Sequence, residues 1–325
     1  MSGETILVVR LGAMGDIVHA LPAVASLKKS FPQRRLIWVV KPRWAALLHG
    51  NPNIDELLSL PGGGLRLLAQ GRKRLRGIRP VLAIDFQGLV QSALLGRLSS
   101  PREFFGFDES VARERFAARL YSRTIRVAGP HRVERNLQLV QAAGASACTC
   151  EAWLPPGEPE GRLPSLPFVL ASPFAGWAGK QWPLEHYRRL AQLLQSEGIP
   201  LVANVAHEQA AKLSRLENVT IHTSSIAGLL DATRRAVAIV GVDSGPLHIA
   251  AALRKPGVAI FGPTDPAATG PYGGSLHVLR THLAETTYDR HKQIQASMRA
   301  ISAEEVFGAL MRSLLPQQTS GGQTF

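Results

Sequence analysis

The chain has 325 residues, 45% of them apolar, with 37 Lys+Arg against 24 Asp+Glu and a formal net charge of +13. That length and apolar content suit two ordinary domains and exclude a disordered chain. No apolar run approaches bilayer length, and two cysteines exclude a disulfide framework.

The opening MSGETILVVRLGAMGD runs directly into a strand, without a basic segment followed by an apolar one, and so reads as cytosolic. The first strand spans Ile6–Arg10. The loop Leu11–Gly15 follows, and Asp16 opens a helix to about Lys29. Gly12 and Gly15 do not make G-x-G-x-x-G, and Walker A is absent. Asp16 is either a helix cap or a general base at the carboxyl edge of the first strand, where open α/β sheets place their chemistry.

A strand at Leu36–Val40, a helix near Trp44–His49 and a further apolar piece at Ile54–Leu60 come next. Arg66, Arg72, Lys73, Arg74, Arg76 and Arg79 then form a basic run with no acid between Glu56 and Asp85. This is either a solvated helix face or a surface for phosphate, nucleic acid or an anionic membrane. Nucleic acid has no zinc-finger, RRM or helix-turn-helix signature behind it. Val81–Asp85 is a strand, Leu89–Leu98 a helix, Arg102–Phe107 a short strand, and Asp108–Arg119 a polar, Arg-rich segment. Ile125–Val127 is a short apolar piece, and a helix starts at His131 and runs to about Ala143. Cys148 and Cys150 form a C-x-C pair with no second half for a zinc site.

Leu154–Pro167 holds five prolines and two glycines, the composition of a linker. The domain reading is therefore 1–155, a linker at 156–167, a second domain at 168–315 and a flexible tail at 316–325.

The second half restarts at Phe168–Ser172. A loop leads to Lys180, and Leu184–Ser196 is helical. Pro200–Asn204 is a strand, and Glu208 begins a helix to Leu216. Thr220–His222 is a strand, and Ser225 caps Ile226–Arg235. Ala238–Val242, the turn Asp243-Ser244-Gly245, a helix at Leu247–Leu253 and Val258–Phe261 make a βαβ unit. Asp243 and Ser244 suit an N-cap, Pro246 the first helical position, and Gly245 a close approach to the backbone. The turn is either an ordinary capped helix or an anion site, with His248 one turn in. A Gly/Pro-rich loop and an irregular stretch at 281–292 follow, then a helix at Ala303–Leu314 capped by Ser302.

The fold class is α/β: two doubly wound parallel-sheet domains whose strand ends can face a central cleft. V-D-S-G-P-L-H-I-A-A-A-L with F-G-P-T-D-P-x-x-T-G-P-Y-G resembles the bacterial heptosyltransferases of glycosyltransferase family nine. R-L-G-A-M-G-D-I-V-H-A-L-P-A, D-F-Q-G-L-V-Q-S-A-L and G-K-x-W-P agree with it. V-A-R-E-R-F-A-x-R-L-Y and H-R-V-E-R-N are similar to members that add the first heptose. The matches run in order from residue 6 to about 306.

The resemblance implies a GT-B fold of two Rossmann-like domains. It implies an inverting transfer of heptose from ADP-heptose to the Kdo sugar of lipid A, with no cofactor and no essential metal. Asp16 would be the base. Gly176, Lys180, Glu208, Ser224, Asp243, Ser244, Gly245, Pro246 and His248 would hold the donor, Lys180 at the diphosphate and Glu208 at the ribose. Arg10, Gly15, Lys73, Arg74 and Arg113 are the acceptor candidates, Arg113 on the A-R-E match and the three other cations on charge and placement. Gln91 stands where the family pattern D-x-Q-G-L-x-K-S carries Lys, which removes one cation. The expected setting is a monomer at the cytoplasmic, anionic face of the inner membrane, without nucleic acid. Competing readings are a relative with another nucleotide sugar or acceptor, a nucleotide-dependent oxidoreductase, which the missing G-x-G-x-x-G disfavours, and a non-catalytic basic binding protein.

Overall fold

The structure, a computed structural model, describes residues 4–213, 216–290 and 292–315; the tail predicted at 316–325 lies outside the described residues. The described residues divide into two compact units: the first runs up to Gly157 and also takes in Ala267–Thr269, and the second runs from Glu158 to Pro266 and resumes at Gly270.

The first unit runs β1 (Thr5–Val9), α1 (Met14–Ser30), β2 (Arg35–Val40), β3 (Glu56–Ser59), α2 (Gly64–Leu75), β4 (Leu82–Asp85), α3 (Val90–Arg97), β5 (Glu103–Phe107), β6 (Arg123–Ile125) and α4 (Arg132–Ala142). Its sheet has the order β3-β2-β1-β4-β5-β6, and all its strand pairs are parallel. The helix expected near Trp44–His49 is a 3₁₀ turn at Pro42–Leu47. The Arg-rich segment after β5 contains another, Arg115–Leu120.

Strand order reverses between β1 and β4, so right-handed crossovers send successive connections to opposite faces. The apolar cluster records one face. Leu67 and Leu75 of α2, Ala93 and Leu95 of α3, and Ala117 of the 3₁₀ turn pack with Leu7, Val9, Ile37 and Val39 of the sheet. The other side carries α1, which packs against α4.

The second unit runs β7 (Val169–Ser172), α5 (Leu184–Ser196), β8 (Leu201–Val205), β9 (Val219–Thr223), α6 (Ile226–Arg235), β10 (Ala238–Val242), α7 (Gly245–Ala252), β11 (Gly257–Phe261), α8 (Pro266–Thr269), β12 (Leu276–Arg280), α9 (Ala296–Arg299) and α10 (Ala303–Leu314). Its order, β12-β11-β10-β7-β8-β9, repeats the first unit's topology. Gly257 opens β11 at φ +144°, and a Cβ there would stand 2.0 Å from the Ile239 carbonyl oxygen. Any side chain would break the β10–β11 pairing.

Three local expectations change. The stretch read as a linker is fastened from Glu158 on: Glu158 N–H donates to Ala227 (3.1 Å), and the Glu160 carboxylate accepts from Ser225 N–H (2.7 Å). His222 Nε2 lies 2.7 Å from the Glu160 carbonyl. The helix expected from Glu208 to Leu216 is a 3₁₀ turn at His207–Leu213. The loop expected after β11 contains β12, an edge strand with exposed residues at 277 and 278.

Candidate functional site

Parallel sheets gather their polar groups at the carboxyl ends of strands, and each unit here carries one such group. In the first unit the Asp16 side chain is 10% exposed, at the third position of α1, where it accepts from Ala13 N–H at 3.4 Å. The helix therefore begins two residues earlier than expected, and Asp16 caps its own first turn. Its carboxylate also pairs with Arg10 and Arg132, and Arg113 stands 3.9 Å away. Burial opposes the charge on Asp16, but Arg10, Arg132, His19 and Arg113 outweigh it and hold the carboxyl well below its usual range. Asp16 is thus ionised, in a cleft also lined by Gln87, Arg135 and Asn136.

Arg10 does not reach outward. It is 5% exposed, and its Nη1 donates to the Phe86 carbonyl at 2.6 Å while Nη2 holds Asp16. Arg132 and Arg113 are 41% and 51% exposed, so they alone of this trio face solvent. Gly15 lies in the first turn of α1. Lys73 and Arg74 lie exposed on α2 and do not line the cleft.

Asp85 underlies this arrangement. It accepts from Gln87 N–H (2.7 Å), Ser92 Oγ (2.7 Å) and Tyr121 OH (2.8 Å), and Gln87 Oε1 in turn accepts from Leu11 N–H (2.8 Å). Burial pushes its carboxyl up, against those three hydrogen bonds. Asp85→Ala should cost about 2–3 kcal/mol, because Tyr121 OH and Gln87 N–H lose their buried acceptor. Denaturant unfolding measures this, and a change under ~0.5 kcal/mol would contradict it.

In the second unit Lys180 ends a 3₁₀ turn and Asp243 directly follows β10. Lys180 Nζ lies 2.9 Å from Asp243 Oδ2, and His248 Nε2 lies 3.5 Å from Oδ1. Burial opposes the charge on Asp243, but His248 and Lys180 together hold it ionised, well below the usual range. Asp243 is therefore committed to Lys180 and His248. Ser244 occupies the N-cap position, but its side chain makes no capping bond, and Pro246 is second in the helix. The Ser244 hydroxyl is buried and has no hydrogen-bond partner among the described residues. The Thr264 hydroxyl, just beyond β11, is in the same state. Amides at a helix N-terminus, a lysine and unspent hydroxyls form a set that favours an anion with several acceptor oxygens.

The other expected donor residues are less tightly grouped. Ser224 Oγ accepts from buried Asn204 Nδ2 at 2.7 Å, just past β9. Glu208 is exposed on its 3₁₀ turn, and Gly176 is exposed with open space where a Cβ would be. No ion pair joins Glu208 to Lys180 among the described residues.

Sequence reasoning missed Arg132, Thr264 and Asp85 as site residues. Arg132 had a usable signal. It sits with Arg135 in the first turn of α4, where the helix dipole disfavours a cation, so an anion must compensate. That anion is Asp16, 116 residues earlier.

Two Rossmann-like units, each with its polar groups at the carboxyl edge of a parallel sheet, make up a fold of the GT-B class. Among solved structures, E. coli heptosyltransferase WaaC with ADP aligns at TM-score 0.75 and 25% identity, over 95% of this chain and 99% of that one. WaaC with ADP-2-deoxy-2-fluoro heptose aligns at 0.72 and 25%, over 93% and 97%. Lipopolysaccharide heptosyltransferase 1 of Pseudomonas aeruginosa PAO1 is 31% identical over 293 residues, 83% of this chain and 82% of that protein. The signature of glycosyltransferase family 9 (heptosyltransferase) matches residues 69–298, and the chain belongs to that family.

Proposed function

We propose that this enzyme moves heptose from ADP-heptose to the Kdo sugar of lipid A, with inversion, and that Asp16 is its general base. The observation that carries the reading is an ionised carboxylate at the edge of β1, ringed by arginines. The name of the Pseudomonas relative, lipopolysaccharide heptosyltransferase 1, and the ADP-2-deoxy-2-fluoro heptose held by WaaC support the substrate class.

In the step, the acceptor hydroxyl oxygen attacks the anomeric carbon while its proton passes to Asp16. The bond from that carbon to the phosphate oxygen breaks, and ADP leaves with the electron pair. A positioned base contributes about 10²–10⁴-fold. Lys180, the first-turn amides of α7 and the hydroxyls of Ser244 and Thr264 receive the growing charge on the diphosphate. Glu208 takes ribose hydroxyls, Ser224 and Gly176 line the nucleotide side, and Asp243 with His248 holds Lys180 in place.

A carboxylate held by three arginines is a weak base. An anionic acceptor relieves this. Its carboxylate draws the solvent-facing Arg113 and Arg132 toward itself, and of the three arginines Asp16 keeps buried Arg10 alone. Acceptor binding thus strengthens the base at the moment it is needed. Arg132→Met should raise the acceptor KM about ten-fold, with a smaller effect on kcat and none on ADP affinity. An unchanged acceptor KM in steady-state kinetics would count against this role.

Lys73 and Arg74 meet the acceptor's more distant phosphates, and Gly15 lets it approach the loop. The enzyme works as a monomer, bound peripherally at the anionic, cytoplasmic face of the inner membrane. Among the described residues no helix is long and apolar enough to cross a membrane. A panel of ADP-, UDP- and GDP-sugars tests the donor. ADP-heptose alone should support transfer, with the product linkage inverted by NMR; preference for another donor would replace the substrate.

A further inference from the structure

Three elements share one face of the first unit's sheet: α2, α3 and the 3₁₀ turn Arg115–Leu120, all packed into one apolar cluster. They meet closely. A Cβ on Gly71 of α2 would stand 2.1 Å from Leu95 Cδ1 of α3. Glu114, just before the 3₁₀ turn, accepts from Val90 N–H at the start of α3 (2.7 Å). Their outward surfaces therefore form one continuous layer.

Its composition is lopsided. Arg66, Arg72, Lys73, Arg74, Arg97, Arg115 and Arg119 lie on these three elements, and no acid does. Among the described residues no carboxylate pairs with any cation of α2. Leu67, Gly71 and Leu75 form the buried stripe of α2, which leaves Leu65, Ala69, Arg72, Lys73 and Arg76 exposed on the opposite side. Leu65 is 86% exposed, and Phe116, on the 3₁₀ turn, is 65% exposed. Arg115 pairs with Glu109 at 3.7 Å, and the remaining cations of the face have no carboxylate partner among the described residues. Lone apolar side chains on a surface need no explanation, but two large ones set among so many cations are a different pattern.

We infer that this face, built from α2, α3 and Arg115–Leu120, is the surface by which the enzyme docks on a bilayer rich in anionic phospholipid headgroups. The inference rests on the membrane placement proposed above and names the surface responsible. The cations of this face are drawn to anionic headgroups, while Leu65 and Phe116 enter the boundary between headgroups and acyl chains. A nucleic acid would use the cations but gain nothing from Leu65. Arg119 already covers the Phe116 ring at 5.0 Å, so the ring offers no stacking platform.

Flotation of the full chain with vesicles tests this. Phosphatidylcholine vesicles with about 30 mol % phosphatidylglycerol should bind the enzyme, and phosphatidylcholine alone should not. Binding should fall in about 0.5 M salt. The double variant Arg66→Glu/Arg119→Glu should lose at least about ten-fold in vesicle partition. Leu65→Ser/Phe116→Ser should weaken partition while keeping the preference for anionic vesicles. Both variants should melt as the parent does and transfer normally to a water-soluble, deacylated acceptor. Unchanged partition in both variants would overturn the inference, as would equal binding to neutral vesicles or tighter binding to DNA than to anionic vesicles. Intact vesicle binding without transfer to the soluble acceptor would instead sink the proposed reaction and leave the surface standing.

Discussion

Asp16→Asn is expected to reduce heptose transfer by about 10²–10⁴-fold while leaving ADP affinity unchanged. The amide keeps the shape of the carboxylate and one oxygen for the arginines, but it cannot accept the acceptor's proton. Asp16→Ala would mix two effects. It strips the buried Arg10 guanidinium of its carboxylate, and breaking a buried pair costs about 3–5 kcal/mol. Asparagine is thus the informative variant, and turnover near that of the parent enzyme would remove Asp16 from the role of base. The same pairing makes an acid prediction. The Asp16 and Asp243 carboxyls are both held below their unfolded value of about 3.9. Their contribution to stability is present above that pH and is lost as pH falls toward their folded values.

Lys180→Ala should weaken ADP binding about 10–100-fold, the usual worth of one hydrogen bond to a charged group. The loss has two parts. A cation leaves the diphosphate, and Asp243 keeps only His248 at 3.5 Å, so its buried charge becomes less well compensated. Lys180→Arg should restore part of the affinity, since the charge returns with a different reach. Calorimetry reads both variants, and unchanged affinity in Lys180→Ala would exclude a phosphate role.

The sheets were legible because fully buried parallel strands read as continuous apolar runs. Ile6–Val9 and Ala238–Val242 have no polar interruption and emerge as β1 and β10. β12 was not legible, since Leu276–Arg280 is an edge strand that mixes His and Arg with Val and Leu. The proline-rich composition at 154–167 was informative about regular structure but silent about attachment. Glu160 fastens that segment through Ser225, 65 residues later.

The site follows the same logic. Asp16, Lys180, Asp243 and His248 stand at strand ends and helix starts, which local sequence marks. Their mutual contacts are set by the sheet order. Arg10 reads as an outward cation in sequence, yet strand β1 buries it beneath Phe86 and turns it onto Asp16. Arg132 arrives from α4, beyond every strand of its unit, so no short motif joins it to Asp16.

The most direct test of the whole account is ADP release by the purified enzyme from ADP-heptose, with and without Kdo-bearing lipid A. Release that depends on the acceptor, with heptose appearing on Kdo by mass spectrometry and both lost in Asp16→Asn, is the predicted result. ADP release indifferent to the acceptor, or no release with ADP-heptose bound, would contradict it.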